Sequence, residues 1–265
     1  MSKAIPRVTK ALIPCGGKGT RMASFTHGGA KELLPIGGKP QVLWVMEECA
    51  ASGIDDVLIV SAPGKADLEH TVREAAGASR MPAKVDVIVQ ENPRGLADAI
   101  RLGRDFARQS PLAVALPDNL FIGDAPALAQ LIDVYQTTGK NVVAIVELNE
   151  NNRDKYGPTA IYPGRASGDE FIIERIPDKG PKSKTFELGG ATSAFTGVGR
   201  YVFLPEVFAV IDEVDGALQR AKELDDIPVM QILLERGRLT GRIIRGDFLD
   251  VGLPSGYIEA DTRLR

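Results

Sequence analysis

Near the start of the chain an apolar run, Ala11-Leu-Ile-Pro14, opens directly into Cys15-Gly16-Gly17-Lys18-Gly19-Thr20-Arg21. No other stretch restricts the fold as much. The run is short, unbroken and followed by glycines, which is how a buried strand entering a tight loop reads. Gly16, Gly17 and Gly19 leave main-chain N–H groups open to an anion that side chains would shield. Arg21 adds a cation, and Lys31 adds a second ten residues later. A strand that ends in such a loop asks for a polyphosphate.

From Thr9 to about Asn119 strand and helix patterns alternate. Val57–Ser61, Val85–Val89 and Pro111–Pro117 read as strands, and residues 40–52, 65–76 and 95–107 as helices. Pro40 suits a first helical turn and Gly53 a helix stop. This alternation predicts an α/β fold with a Rossmann-like, mostly parallel sheet and helices on both faces. Ligands of such sheets bind at the carboxyl ends of the strands. Three segments are therefore expected on one rim: the glycine loop, Gln90 to Gly95 after the third strand, and Asp118-Asn119 after the fourth.

Beyond residue 124 the alternation loosens into a smaller, more β-rich lobe. Residues 125–138, 205–214, 227–236 and 255–263 read as helices; 141–147, 195–203 and 242–250 read as strands. Residues 156–162 and 170–174 read as a strand pair around a Pro-Gly turn. There is no internal repeat, low-complexity tract or linker, so residues 1–265 are expected to form one domain, with halves of about 8–124 and 125–265.

The formal net charge of −3 argues against a nucleic-acid binder, and no apolar segment reaches membrane-spanning length. A signal peptide is not evident in Met1-Ser-Lys-Ala-Ile-Pro-Arg7, so a cytoplasmic protein is expected. Cys15 and Cys49 make neither a disulfide framework nor a zinc site. His27 and His70 are the only histidines, and neither lies near a serine signature, which argues against a hydrolase triad.

Two common glycine motifs fit poorly. Gly17-Lys18-Gly19-Thr20-Arg21-Met22 lacks the third glycine of a dinucleotide-binding turn, and Lys18 is followed by Gly19 where a Walker loop needs Ser or Thr. Instead, Gly17-x-Gly19-Thr20-Arg21 followed by Lys31-x-Leu33-x-Pro35 resembles the signature of the sugar-1-phosphate nucleotidyltransferases, which include glucose-1-phosphate uridylyltransferases and thymidylyltransferases. The resemblance implies a reaction in which a nucleoside triphosphate, UTP or dTTP, and a sugar 1-phosphate give an NDP-sugar and pyrophosphate. UTP with glucose 1-phosphate is the first expectation. Mg²⁺ and a homodimer or homotetramer are implied in the same way.

By the same resemblance Arg21, Lys31 and Asp118 are the catalytic residues, and Asp118 with Asp250 the metal ligands. Gly16, Gly17, Gly19, Thr20, Glu32, Gln90 and Gly95 fall at nucleotide-binding positions. Asn119, Tyr156, Gly157, Glu174, Lys179 and Tyr201 fall on the sugar-phosphate side. Glu32 resembles the uridylyltransferase form of the motif, whereas Leu116-Pro-Asp-Asn119 is similar to the thymidylyltransferase stretch. The family's Glu-Lys-Pro is replaced by Glu174-Arg175-Ile176-Pro177-Asp178-Lys179, which leaves Arg175 or Lys179 to take the lysine's place. A non-catalytic regulatory subunit of the same family would be expected to have lost Arg21, Lys31, Asp118 or Asp250, and all four are present.

Overall fold

A computed structural model describes residues 4–17, 19–149, 164–178, 193–218 and 223–265. The first half runs β1 (Lys10–Pro14), a 3-10 turn (Thr20–Met22), α1 (Ala23–Thr26), a second 3-10 turn (Lys31–Leu33), the short hairpin β2 (Pro35–Ile36) and β3 (Lys39–Pro40), then α2 (Gln41–Ala51). It continues through β4 (Asp56–Ser61), α3 (Ala66–Ala75), β5 (Lys84–Val89), α4 (Leu96–Leu102), α5 (Arg104–Ala107) and β6 (Leu112–Ala115). The second half comprises β7 (Asn119–Ile122), α6 (Ala127–Thr138), β8 (Asn141–Asn149), β9 (Gly164–Ser167), β10 (Glu170–Ile173) and β11 (Ser193–Phe203). It closes with α7 (Val207–Ala217), α8 (Asp226–Glu235), β12 (Leu239–Ile243), β13 (Asp247–Asp250) and α9 (Pro254–Leu264).

Among the described residues, nine strands form one sheet in the order β5-β4-β1-β6-β11-β8-β12-β10-β9. β5, β4, β1 and β6 pair in parallel, as do β8 and β12; β11 and β10 run against their neighbours. The second half thus extends the same sheet. Side chains alternate across it, as the pleat requires. Ala11, Ile13, Val57 and Ile59 face one core with Val42, Met46 and Leu131 from α2 and α6. Leu12, Leu58 and Val60 face the other, with Ile100, Ile211 and Met230 from α4, α7 and α8. Both faces are covered, which accounts for the unbroken apolar runs of the parallel strands.

Two expected elements divide. Residues 242–250 do not form one strand: β12 belongs to the large sheet, and β13 leaves it to pair antiparallel with β7. The break lies at Gly246, which has φ 139° and where a Cβ would fall 2.5 Å from the Phe121 ring. The helix expected over 95–107 is interrupted at Gly103, pressed against Leu12 where a Cβ would come within 2.6 Å. The partner of β10 is β9, across a turn at Gly168, and the expected strand at 156–162 lies outside the described residues. The β2–β3 hairpin and β7 were not anticipated.

Candidate active site

The carboxyl ends of β1, β5 and β6 bound a cleft of about 510 Å³. Gly16, Gly17, Thr20, Lys31, Gln90, Gly95 and Asp118 all contribute to its wall, so the three segments expected on one rim do meet. Lys31 runs beneath the glycine loop: a Cβ on Gly19, whose φ is 61°, would lie 3.3 Å from the lysine's own Cβ, and one on Gly17 would lie 3.8 Å from its Cε. Gly19 therefore serves both to turn the loop and to let this stem pass closely. Lys18 lies outside the described residues.

Lys31 Nζ donates to Asp118 Oδ2 at 2.6 Å. Burial works to raise the Asp118 pKa, but Lys31, Arg21 and the Asn119 amide outweigh it and hold the carboxyl below its ordinary 3.8. Burial likewise works against the charge on Lys31, and Asp118 overcomes it, raising the lysine above its ordinary 10.5. Asp250 is brought alongside by strand pairing. It sits opposite Asn119 in the β13–β7 register, and Val251 N–H donates to the Asp118 carbonyl at 2.8 Å. At Gly252 a Cβ would lie 3.0 Å from Asp250 Oδ1 and 3.3 Å from Asp118 Oδ2, so the glycine packs tightly against both carboxylates. Arg21, with 53% of its side chain exposed, reaches Asp250 Oδ2 at 3.9 Å.

Behind Asp118 lies a support that the sequence did not disclose. Arg200 is fully buried and paired with Glu48 at 2.8 Å. Its guanidinium also donates to the carbonyls of Leu116 and Asn119, both at 2.8 Å, clamping the backbone on either side of the aspartate. Gln41 Nε2 donates to the carbonyl of Pro117 at 2.6 Å. Buried donors of this kind fix the strand end far more firmly than a solvated loop would be held.

Glu32, expected at the nucleotide, does not line the cleft. It is 0% exposed and forms an ion pair with Lys65 at 2.9 Å. Lys65 also donates to the carbonyls of Cys15 at 2.5 Å and Gly17 at 3.0 Å. Lys65 thereby ties two of the loop's carbonyls to the buried Glu32. Burial, the largest influence on each thiol, raises the pKa of Cys15 and Cys49 and so disfavours the thiolate of both. His70 is exposed beside Glu74, and His27 is exposed in the left-handed region.

At the third segment Gln90 is buried against the loop: a Cβ on Gly16 would fall 2.7 Å from its Oε1. Its Nε2 donates to Asp98 Oδ2 at 2.7 Å. Gly95 (φ 132°) is pinched by the Leu224 carbonyl, 2.4 Å from where a Cβ would be, and that carbonyl accepts from Ala97 N–H.

A model of the nucleotidyl transferase family matches residues 10–265. The chain belongs to this family, as a sugar-1-phosphate nucleotidyltransferase. It is 30% identical over 270 residues to a UTP–glucose-1-phosphate uridylyltransferase of Bacillus subtilis, an alignment covering 95% of this chain and 89% of the relative. An enzyme of the same name from Staphylococcus epidermidis is 30% identical over 96% of this chain and 91% of its own. The fold superposes on that of a UDP-glucose pyrophosphorylase complexed with UDP-glucose, with a TM-score of 0.82 and 24% identity over 97% of this chain and 98% of that one. A UTP-bound enzyme from Acinetobacter baumannii gives a TM-score of 0.78 at 21% identity, covering 97% and 93%.

In this nucleotidyltransferase the residues expected on the sugar side are less well gathered. Tyr201, expected at the sugar phosphate, is a core residue: it is buried, stacks on Phe203 and donates its hydroxyl to Asp226 at 2.7 Å. Glu174 is exposed just beyond β10 and does not line the cleft. Asn119 does stand at the site, donating to Asp118 Oδ1 at 3.2 Å. Tyr156, Gly157 and Lys179 lie outside the described residues.

Proposed function

We propose that this nucleotidyltransferase joins UTP to glucose 1-phosphate, giving UDP-glucose and pyrophosphate. The relatives that match nearly the whole chain carry that activity in their names. The observation that carries the reading is the convergence of Lys31, Arg21, Asp118 and Asp250 beside a glycine loop at the mouth of one cleft.

The phosphate oxygen of the sugar phosphate forms a bond to the α-phosphorus as the bond to the β-phosphate oxygen breaks, and pyrophosphate leaves with that electron pair. Both reactants are anions, so the chain must neutralise and align them. Loop N–H groups hold triphosphate oxygens. Arg21 offers a planar fork to phosphate, and its exposure lets it swing over the incoming substrate. Lys31 is a fixed positive charge at the α-phosphate. No general base is required, because the attacking oxygen is already ionised, in keeping with histidines that stay outside the site.

Asp118 and Asp250 fit a magnesium site. They are paired hard-oxygen donors at one strand end, and among the described residues no group of three His, Cys, Asp or Glu side chains could cage an ion alone. Two carboxylates with substrate phosphates match what Mg²⁺ takes, and the ion would supply Lewis-acid charge to the transferring phosphoryl group. Gln90 and Gly95 would read the pyrimidine, while beyond the cleft wall Glu174 would bind sugar hydroxyls and Arg175 or Lys179 the sugar's phosphate. The test is pyrophosphate release over a matrix of UTP, dTTP, CTP and ATP against sugar 1-phosphates in Mg²⁺. UTP with glucose 1-phosphate is expected to be the most efficient pairing. A preference for dTTP would correct the nucleotide, and no release with any pairing would end the proposal.

A further inference from the structure

We propose that Asp98 fixes which way round the Gln90 carboxamide faces, and so makes the cleft select a base that carries a hydrogen on its recognised ring nitrogen. The proposal rests on the reading of Gln90 as the base contact. Asp98 would be a positioning residue, touching the amide and not the nucleotide.

Gln90 Nε2 donates to Asp98 Oδ2 at 2.7 Å, and both side chains are buried. The other carboxylate oxygen, Oδ1, accepts from Arg101 Nη2 at 2.6 Å. Arg101 is itself held by Asp215 Oδ2 at 2.7 Å, and Arg94 pairs with the same aspartate. The lock is thereby tied to α7. A carboxylate accepts hydrogen bonds and donates none. Turning the amide by 180° would set Gln90 Oε1 against Asp98 Oδ2 with no proton between them, which a buried site penalises heavily. Oε1 must therefore lie on the opposite side, against the Cα of Gly16 at the cleft wall, where a Cβ would come within 2.7 Å of it.

The imide edge of uracil or thymine presents an N3–H donor beside carbonyl acceptors. Oε1 can accept that N3–H while the second Nε2 hydrogen remains for a carbonyl. Cytosine presents an unprotonated N3 beside an amino group, and only the flipped amide would suit it. Asp98 excludes that flip. An asparagine at 98 could face Gln90 with either its oxygen or its NH₂, and would allow both orientations.

The reading is tested by the ratio of kcat/KM for UTP to that for CTP, from initial pyrophosphate release at fixed sugar 1-phosphate and Mg²⁺. The ratio is independent of how much enzyme is folded, because active concentration cancels. Asp98→Asn and Asp98→Ala should each lower it by about tenfold or more, the worth of roughly one buried hydrogen bond. A ratio within about twofold of wild type in either variant, well short of one hydrogen bond, would overturn the lock. Gln90→Ala separates the two readings. If its ratio falls while those of the Asp98 variants do not, the base contact stands and the lock fails. If its ratio is unchanged, the base contact fails and takes the lock with it. A measurement on the unmodified protein needs no variant: 3-methyl-UTP, which lacks N3–H, should be a poor substrate, and use of it as efficient as that of UTP would overturn the proposal. Should dTTP prove the preferred nucleotide, thymine has the same edge and the dTTP-to-CTP ratio is read instead.

Discussion

Lys31 and Asp118 sit 2.6 Å apart, and each moves the other's ionisation away from neutrality. Because the folded Asp118 pKa is depressed, its stabilising contribution is complete above 3.8 and is lost only as pH falls through the lower folded value. Because that of Lys31 is raised, its contribution is complete below 10.5 and is lost as pH climbs through the higher folded value. A carboxyl ¹³C titration of the free enzyme should place the Asp118 midpoint below 3.8; a midpoint above that would contradict the pairing. Glu32 and Lys65 make a separate prediction. Lys65→Met leaves the buried Glu32 without its partner and should cost about 3–5 kcal/mol in urea unfolding. Adding Glu32→Gln should recover part of the loss, since the two effects are coupled. A loss under about 1 kcal/mol, the range of exposed pairs, would show that the pair does not hold the loop. Glu32 stands out in the sequence because it follows Lys31 in the motif; that its buried carboxylate is paired with Lys65 is a contact no local pattern reveals.

Among elements, the pairing of β13 with β7 matters most, because it sets Asp250 beside Asn119 and next to Asp118. Periodicity could not have found it. β7 is four residues long, and its partner lies over a hundred residues away, so neither strand carries a local signal strong enough to stand alone. The parallel strands β1, β4, β5 and β6 were legible because burial on both faces writes an unbroken apolar run. Helix α9 packs directly on β13: at Gly256 a Cβ would lie 2.2 Å from the Asp250 carbonyl oxygen. Gly256→Ala should therefore displace the helix from the strand, with a loss of about 1–3 kcal/mol in stability as an overpacked contact. The Mg²⁺ concentration for half-maximal activity should rise with it, because Asp250 moves. An unchanged magnesium titration would separate the helix contact from the proposed metal site.

At the scale of the molecule, one sheet runs through both halves, with β11 inserted against the direction of β6 and β8. The rim that bounds the cleft was readable from the glycine loop and from the rule placing ligands at the carboxyl ends of parallel strands. On the sugar side, Tyr156, Gly157 and Lys179 lie outside the described residues. Tyr201, matched by motif, occupies an inward-facing core position of a covered strand and donates its hydroxyl to Asp226. Residues separated by more than two hundred positions converge at the cleft mouth, and the account depends on that convergence serving one reaction. The most direct test is the steady-state rate of pyrophosphate release by the Asp250→Asn enzyme with UTP, glucose 1-phosphate and saturating Mg²⁺. The rate should fall by about 10³-fold or more, the scale of losing a metal ligand's electrostatic stabilisation of the transferring phosphoryl group, in a protein that unfolds normally. A rate equal to that of the wild-type enzyme would contradict it.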